Sequence, residues 1–197
     1  HYPLRRQRQM CIRDRLYWLA PNAPLALVEQ EGAEPMGYAW FPLEIAPDGS
    51  KIDYKADDYA RAHEILVNYL QSVSKELNVP FDKIVLLGFS QGAMLTLHTA
   101  PQLDSALAGA IALAGRMLDP KMLTDAKQRP PFLLMHGDAD DVVNHSGSVE
   151  AEKCLRENGF NVHFDSVAGA AHTTLFTPET LMTVAGFISQ RLAVKPE

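Results

Sequence analysis

The hexapeptide Gly88-Phe89-Ser90-Gln91-Gly92-Ala93 constrains this chain more than any other stretch. An apolar run, Ile84-Val85-Leu86-Leu87, precedes it, and a helix-forming run, Met94-Leu95-Thr96-Leu97-His98, comes after it. A Gly-x-Ser-x-Gly pattern between a strand and a helix is a sharp turn that lifts the serine hydroxyl above the sheet edge. It also places that hydroxyl at a helix N-terminus, where backbone N–H groups point outward. Small residues two before and two after the serine are expected because the turn leaves no room for large ones. A plain strand-to-helix turn with serine as the helix cap is the competing reading.

The surrounding periodicities set the fold class. Ala62, Ile65, Leu66, Tyr69, Leu70, Val73 and Leu77 recur at helical spacing from Asp57 onward, and Asn78-Val79-Pro80 ends the helix. The helix after Ser90 is predicted to run to about Thr99 and stop before Pro101. Ala108 to Gly115 is a continuous apolar run, as a parallel strand covered on both faces requires. Phe132-Leu133-Leu134-Met135 reads as the next buried strand and ends at His136-Gly137. Ser146 to Asn158 reads as a helix, with Gly159 suited to its C-terminal cap. Asn161 to Val167 alternates as a strand, and Pro178 to Leu192 is an amphipathic helix. Helices alternating with apolar strands imply an α/β fold with a doubly wound, mostly parallel sheet and helices on both faces.

Upstream, Leu16-Tyr17-Trp18-Leu19-Ala20 reads as a short buried strand stopped by Pro21-Asn22-Ala23-Pro24. Leu25 to about Asp53, punctuated by glycine and proline, reads as a long irregular section. It carries Tyr38-Ala39-Trp40-Phe41, too apolar to lie free in water. Residues 1–15 hold five arginines and one acid, with no strand alternation and no amphipathic stripe. They resemble the conceptual translation of a sequencing adapter and are expected to be a non-native or disordered arm on a truncated gene. A single domain is expected over residues 16–197.

The chain has 197 residues and 47% hydrophobic composition, enough to bury a substantial core. Its net charge is -6, and the arm carries +4 of opposite sign, so the remainder carries -10. An acidic body argues against nucleic acid as the main partner, because phosphate contacts need a basic face. No apolar run approaches the roughly 20 residues that span a bilayer. Two cysteines, Cys11 and Cys154, make no disulfide framework, so a reducing cytoplasmic setting is expected. No metal-ligand spacing and no phosphate-cradling glycine loop is present, so neither metal nor cofactor is expected.

A serine hydroxyl is a poor nucleophile until a base takes its proton. Histidine suits that task, and its imidazole needs a carboxylate to fix the tautomer. In open α/β sheets each of these groups belongs on a loop after a strand, at the C-terminal sheet edge. The chain supplies them in the order Ser90, an acidic cluster after the Phe132 strand, and His172 after the Val162 strand. His98 and His163 lie within a helix and a strand, and His136 ends its strand too early, which marks it as a local hydrogen-bonding residue. His145 is the one competitor. Spacing alone does not choose among Asp138, Asp140 and Asp141.

Together, Gly88-Phe89-Ser90-Gln91-Gly92, His136-Gly137-Asp138-Ala139-Asp140 and Ala171-His172 resemble the phospholipase/carboxylesterase family, which includes acyl-protein thioesterases. The resemblance extends from about Leu16 to Leu192. It implies an α/β-hydrolase fold and hydrolysis of carboxylic esters or thioesters without a cofactor. It also implies that the second Asp of His-Gly-Asp-x-Asp, Asp140, is the catalytic acid, with Asp141 where the family usually has Pro. The backbone N–H of Gln91 becomes an oxyanion donor. Trp40 and Phe41 resemble the family's substrate-side loop. The family's first strands carry a His-Gly-x-Gly-like loop that supplies a second oxyanion donor, and nothing before Leu16 matches it. The resemblance therefore implies a chain lacking the first strands, with a catalytically impaired scaffold as the alternative to an active enzyme. An apolar flap serves a dimer as readily as a substrate, so a homodimer stays open, as does the acyl length.

Overall fold

The computed structural model describes residues 16–28, 30 and 34–193. The arm at residues 1–15 lies outside the described residues. The chain divides into two compact units, one ending at Phe41 and the other running from Pro42 onward.

In the first unit, β1 (Leu25–Leu27) pairs antiparallel with β2 (Gly37–Ala39). The buried strand expected at residues 16–20 is not formed. Leu16 makes an isolated bridge, residues 17–20 have no regular structure, and Tyr17 and Trp18 are exposed. Apolar content misled here. The run is five residues long, and Pro21 and Pro24 remove two backbone donors from the segment next to it.

The second unit opens with another short antiparallel pair, β3 (Leu43–Ile45) and β4 (Ile52–Tyr54). The section read as irregular thus contains strands. Their connection is Pro47-Asp48-Gly49-Ser50, with Gly49 at a φ of 68° and its N–H donating to the Ala46 carbonyl at 2.8 Å. Asp48 accepts from the Ser50 N–H and hydroxyl at 3.0 and 2.6 Å. This is ordinary turn chemistry, a preset φ at proline and then a residue with positive φ.

The main sheet has four parallel strands in the order β5 (Val85–Phe89), β6 (Gly109–Leu113), β7 (Phe132–Gly137) and β8 (Val162–Val167). Helices α1 (Ala56–Leu77), α2 (Gln91–Gln102), α3 (Ser146–Glu157) and α4 (Pro178–Leu192) cover it. Side chains alternate between the faces of a strand. Ile111, Leu113, Leu133 and Met135 therefore share one face, where they pack with Val184 and Ile188 of α4. The intervening Ala110, Ala112, Phe132 and Leu134 point the other way, where α2 packs on β5 and β6 and α3 on β7 and β8. All eight side chains are buried, which is why β6 and β7 read as unbroken apolar runs. Each fully buried leucine or isoleucine contributes roughly 1.5–3 kcal/mol to this core.

Helix α1 buries Tyr59, Ala62, Leu66, Leu70 and Val73 and packs on α2. The Tyr59 hydroxyl donates to the Met94 carbonyl at 3.0 Å. Helix α2 runs through Pro101 instead of stopping before it. Pro101 sits in the last turn, it is buried, and its carbonyl accepts from the N–H groups of Lys127 and Gln128. Those tertiary bonds hold the turn despite the missing helical donor. Helix α4 begins where proline fits best, at the first turn, behind a capping box between Thr177 and Thr180. Among the described residues, no helix is long and apolar enough to cross a membrane.

Candidate active site

Ser90 caps α2 directly after β5, with φ 53° and ψ -117°. A non-glycine residue with positive φ costs on the order of 1–3 kcal/mol and persists only where its surroundings impose it. The imposition is visible. The Ser90 N–H donates to the Leu113 carbonyl of β6 at 2.8 Å, and its carbonyl accepts from the N–H groups of Ala93 and Met94. A Cβ on Gly88 would lie 2.1 Å from the Gly92 carbonyl oxygen and 2.6 Å from the Ala93 nitrogen. Residue 88 is therefore glycine because the helix backbone passes directly over it. Gly92 is different: a Cβ there meets nothing within 4 Å, so the steric demand of the turn falls on the position two before the serine and not on the one two after.

His172 arrives on the loop after β8. Its Nε2 lies 3.0 Å from Ser90 Oγ, and its Nδ1 lies 2.7 Å from Asp140 Oδ2. His172 is 7% exposed, and its imidazole packs against Phe89, whose ring in turn meets Phe176 edge-on. The loop is stitched to the end of β7. Ala139 N–H donates to the Ala170 carbonyl, Asp138 N–H to the Val167 carbonyl, and Gly169 N–H to Asp138 Oδ1. A Cβ on Gly137 would lie 2.0 Å from the Ala170 carbonyl oxygen, so glycine is required for this close approach too.

Asp140 has a fully buried side chain. Its Oδ1 accepts from the N–H groups of Val142 and Val143 at 2.9 and 2.8 Å. Burial pushes its carboxyl pKa up. The hydrogen bonds from His172 and from the two backbone N–H groups outweigh that, and the net displacement is below the ordinary carboxylate value. The charged carboxylate can only accept, so His172 donates from Nδ1 and a neutral ring leaves its Nε2 lone pair facing the serine hydroxyl. The turn uses donors at 142 and 143 and none at 141, so Asp141 serves this geometry as well as a proline would.

The structure thus brings Ser90, Asp140 and His172 into one connected line. The other two acids point elsewhere, Asp138 to Gly169 as above, and Asp141 to the His172 N–H at 3.5 Å. His145 contacts the Ser166 hydroxyl at 2.9 Å and does not face Ser90. His98 sits between Tyr59 and His63, and exposed His163 pairs with Asp165. Gln91 begins α2, beside Ser90. Trp40 and Phe41 close the first unit just after β2, half-buried and buried respectively. Among the described residues, no group of three or more His, Cys, Asp or Glu is placed to hold a metal ion.

A serine in a strained strand-to-helix turn, with an aspartate and a histidine on loops after later strands of a parallel sheet, defines an α/β-hydrolase. The chain matches the family model described as Phospholipase/Carboxylesterase over residues 5–192, and it belongs to that family. It is 32% identical to acyl-protein thioesterase 1 of Saccharomyces cerevisiae over 200 residues, covering 95% of this chain and 83% of that protein. The crystal structure of esterase PE8 superposes with a TM-score of 0.76 at 32% identity, covering 88% of this chain and 78% of that one. The acyl-protein thioesterase 2 of Zea mays superposes at 0.69 with 26% identity, covering 89% and 81%.

Proposed function

We propose that this chain is a serine hydrolase that cleaves carboxylic esters or thioesters through an acyl-enzyme on Ser90. The observation that carries the reading is the unbroken line from Ser90 Oγ to His172 at 3.0 Å and from His172 to Asp140 at 2.7 Å. Ser90 Oγ attacks the acyl carbonyl carbon while its proton passes to His172 Nε2. The carbonyl oxygen becomes an oxyanion, and the Gln91 N–H at the start of α2 is the donor proposed for it. The tetrahedral adduct expels the alcohol or thiol, which takes the proton from His172. Water then attacks the acyl-enzyme, again losing its proton to His172, and the carboxylic acid leaves with Ser90 restored. Asp140 holds the Nδ1–H tautomer throughout and stabilises the imidazolium. The family membership and the named thioesterase and esterase relatives support this choice of substrate bond.

A fluorophosphonate probe reads the nucleophile directly. Labelling at Ser90 and turnover of a short-chain nitrophenyl ester, both abolished in Ser90→Ala, are the expected results. Labelling that survives Ser90→Ala refutes the assignment, and labelling of Ser90 without turnover identifies an impaired scaffold. A reducing cytoplasmic setting suits the free, half-buried thiol of Cys154.

A further inference from the structure

His136 ends in a fully buried pocket beside the proposed catalytic acid, and the mechanism above does not use it. Its side chain has no exposed surface. On one side, Nδ1 lies 2.7 Å from the hydroxyl oxygen of Ser148 in α3, which itself lies 2.9 Å from the Gly115 carbonyl oxygen. On the other side, Nε2 lies 2.9 Å from the Val143 carbonyl oxygen and 3.0 Å from Asp140 Oδ2. A carbonyl and a carboxylate can only accept, so Nε2 carries a proton whatever the charge of the ring.

We propose that His136 is a positioning residue whose Nε2–H holds Asp140 Oδ2 in place for His172. The accounting at the carboxylate explains why such a residue is needed. Oδ1 is fixed by two backbone N–H groups. Oδ2 is the oxygen that meets His172. Without His136, the only side-chain donor on Oδ2 among the described residues is the imidazole that it must orient, and a mobile group would then be orienting a mobile group. With His136, a second N–H lies 3.0 Å from Oδ2, shared with the Val143 carbonyl, beside the imidazole of His172. His136 is itself anchored through Ser148 to the end of β6. The line of contacts is therefore longer than three residues: Ser90, His172, Asp140, His136, Ser148 and the Gly115 carbonyl. The titratable neighbours of His136 are Asp140 and His145, the latter with its ring centre 5.5 Å away.

The proposal rests on the triad reading, so the test carries Ser90→Ala as its reference. Turnover and its pH profile are measured per fluorophosphonate-titrated site for wild type, His136→Gln, His136→Leu and Ser148→Ala. Glutamine keeps an N–H near the Nε2 position, whereas leucine keeps bulk and removes the donor. Leucine is expected to lower kcat about 10- to 100-fold with KM little changed, as a displaced catalytic group does. It should also move the acidic limb of kcat/KM to higher pH. A carboxylate that has lost one of its donors attracts the His172 proton more strongly. Glutamine should recover most of the rate. Ser148→Ala should show the same displacement of the limb with a smaller loss of rate. The low-field proton resonance of the His172 to Asp140 bond should broaden or shift in the leucine variant and persist in the glutamine variant.

Wild-type kcat and pH profile in His136→Leu overturn the proposal. Equal losses in the leucine and glutamine variants with an unmoved acidic limb also overturn it, because they describe a packing role alone. If His136→Leu does not fold, Ser148→Ala decides: an unmoved limb and wild-type rate overturn the proposal. Activity surviving in Ser90→Ala sinks the triad reading instead, and the two failures are distinct.

Discussion

Gly137→Ala tests whether the two loops carrying the proposed acid and base are held by backbone contact. The added Cβ would lie 2.0 Å from the Ala170 carbonyl oxygen and 2.6 Å from its carbon. Relief to an ordinary contact needs a displacement of roughly 1 Å, and both partners are backbone, so no rotamer change supplies it. The loop before His172 must therefore move, and the bond from Ala139 N–H to the Ala170 carbonyl is lost with it. Overpacking costs about 1–3 kcal/mol, and the lost hydrogen bond about 1 more. The catalytic cost should be of similar size, because a misplacement of about 1 Å lowers rate on the order of 100-fold, about 2.7 kcal/mol. The expected outcome is a folded protein whose unfolding free energy from denaturant titration falls by about 2–4 kcal/mol, with kcat/KM for a nitrophenyl ester down about 100-fold. Circular dichroism, denaturant titration and ester turnover read the three quantities. A Gly137→Ala protein with wild-type midpoint and wild-type kcat/KM would refute the reasoning.

The same geometry has other consequences. Asp140→Asn keeps the shape but can stabilise the wrong tautomer of His172, and kcat should fall on the order of 10,000-fold, read by steady-state kinetics. Ser90→Gly relieves the positive φ of residue 90 whereas Ser90→Ala keeps it, so the glycine variant should be the more stable of two inactive proteins by about 1 kcal/mol in denaturant titration. His98 has its pKa lowered to about 4, first by burial and then by the neighbouring His63. The unfolded chain thus takes up this proton first, so stability from His98 is complete above about 6.5 and is lost as pH falls towards 4. The loss is on the order of 3 kcal/mol, and His98→Leu should flatten unfolding free energy against pH in that window.

The fold was legible wherever a local rule coincided with the tertiary one. Helix α1 announces itself through Ala62, Leu66 and Val73, and α4 through Pro178 and Val184, because the face that helical geometry aligns is the face that is buried. Strands β6 and β7 were legible because both faces are covered, leaving no polar interruptions. The pair β3 and β4 was missed although Pro47-Asp48-Gly49 lies between two alternating triplets; a count of prolines and glycines suggested irregularity where their order specified a hairpin. The segment at 16–20 erred in the opposite direction, since five apolar residues describe composition and not a partner. At the site, order and loop position singled out Ser90 and His172, whose side chains lie 3.0 Å apart. Nothing local distinguished Asp138 from Asp140, because their difference is which way each carboxylate turns, one to Gly169 and one to His172. The surroundings of His136 were equally silent, as its partners are 4, 7 and 12 residues away and meet only through packing.

Strand β6 contributes no reactive group, yet it is the gauge against which the site is set. Ser90 lies after the strand on one side of it and Asp140 after the strand on the other, so their separation is two interstrand spacings, roughly 10 Å, which the His172 imidazole then spans. Three consecutive residues at its end fix both neighbours. The Leu113 carbonyl takes the Ser90 N–H, Ala114 N–H goes to Met135, and the Gly115 carbonyl takes Ser148, which abuts His136. One short stretch of backbone therefore sets both Ser90 and the surroundings of Asp140. The His172 loop takes its own reference from β8 and from the end of β7, to which the same stretch is bonded.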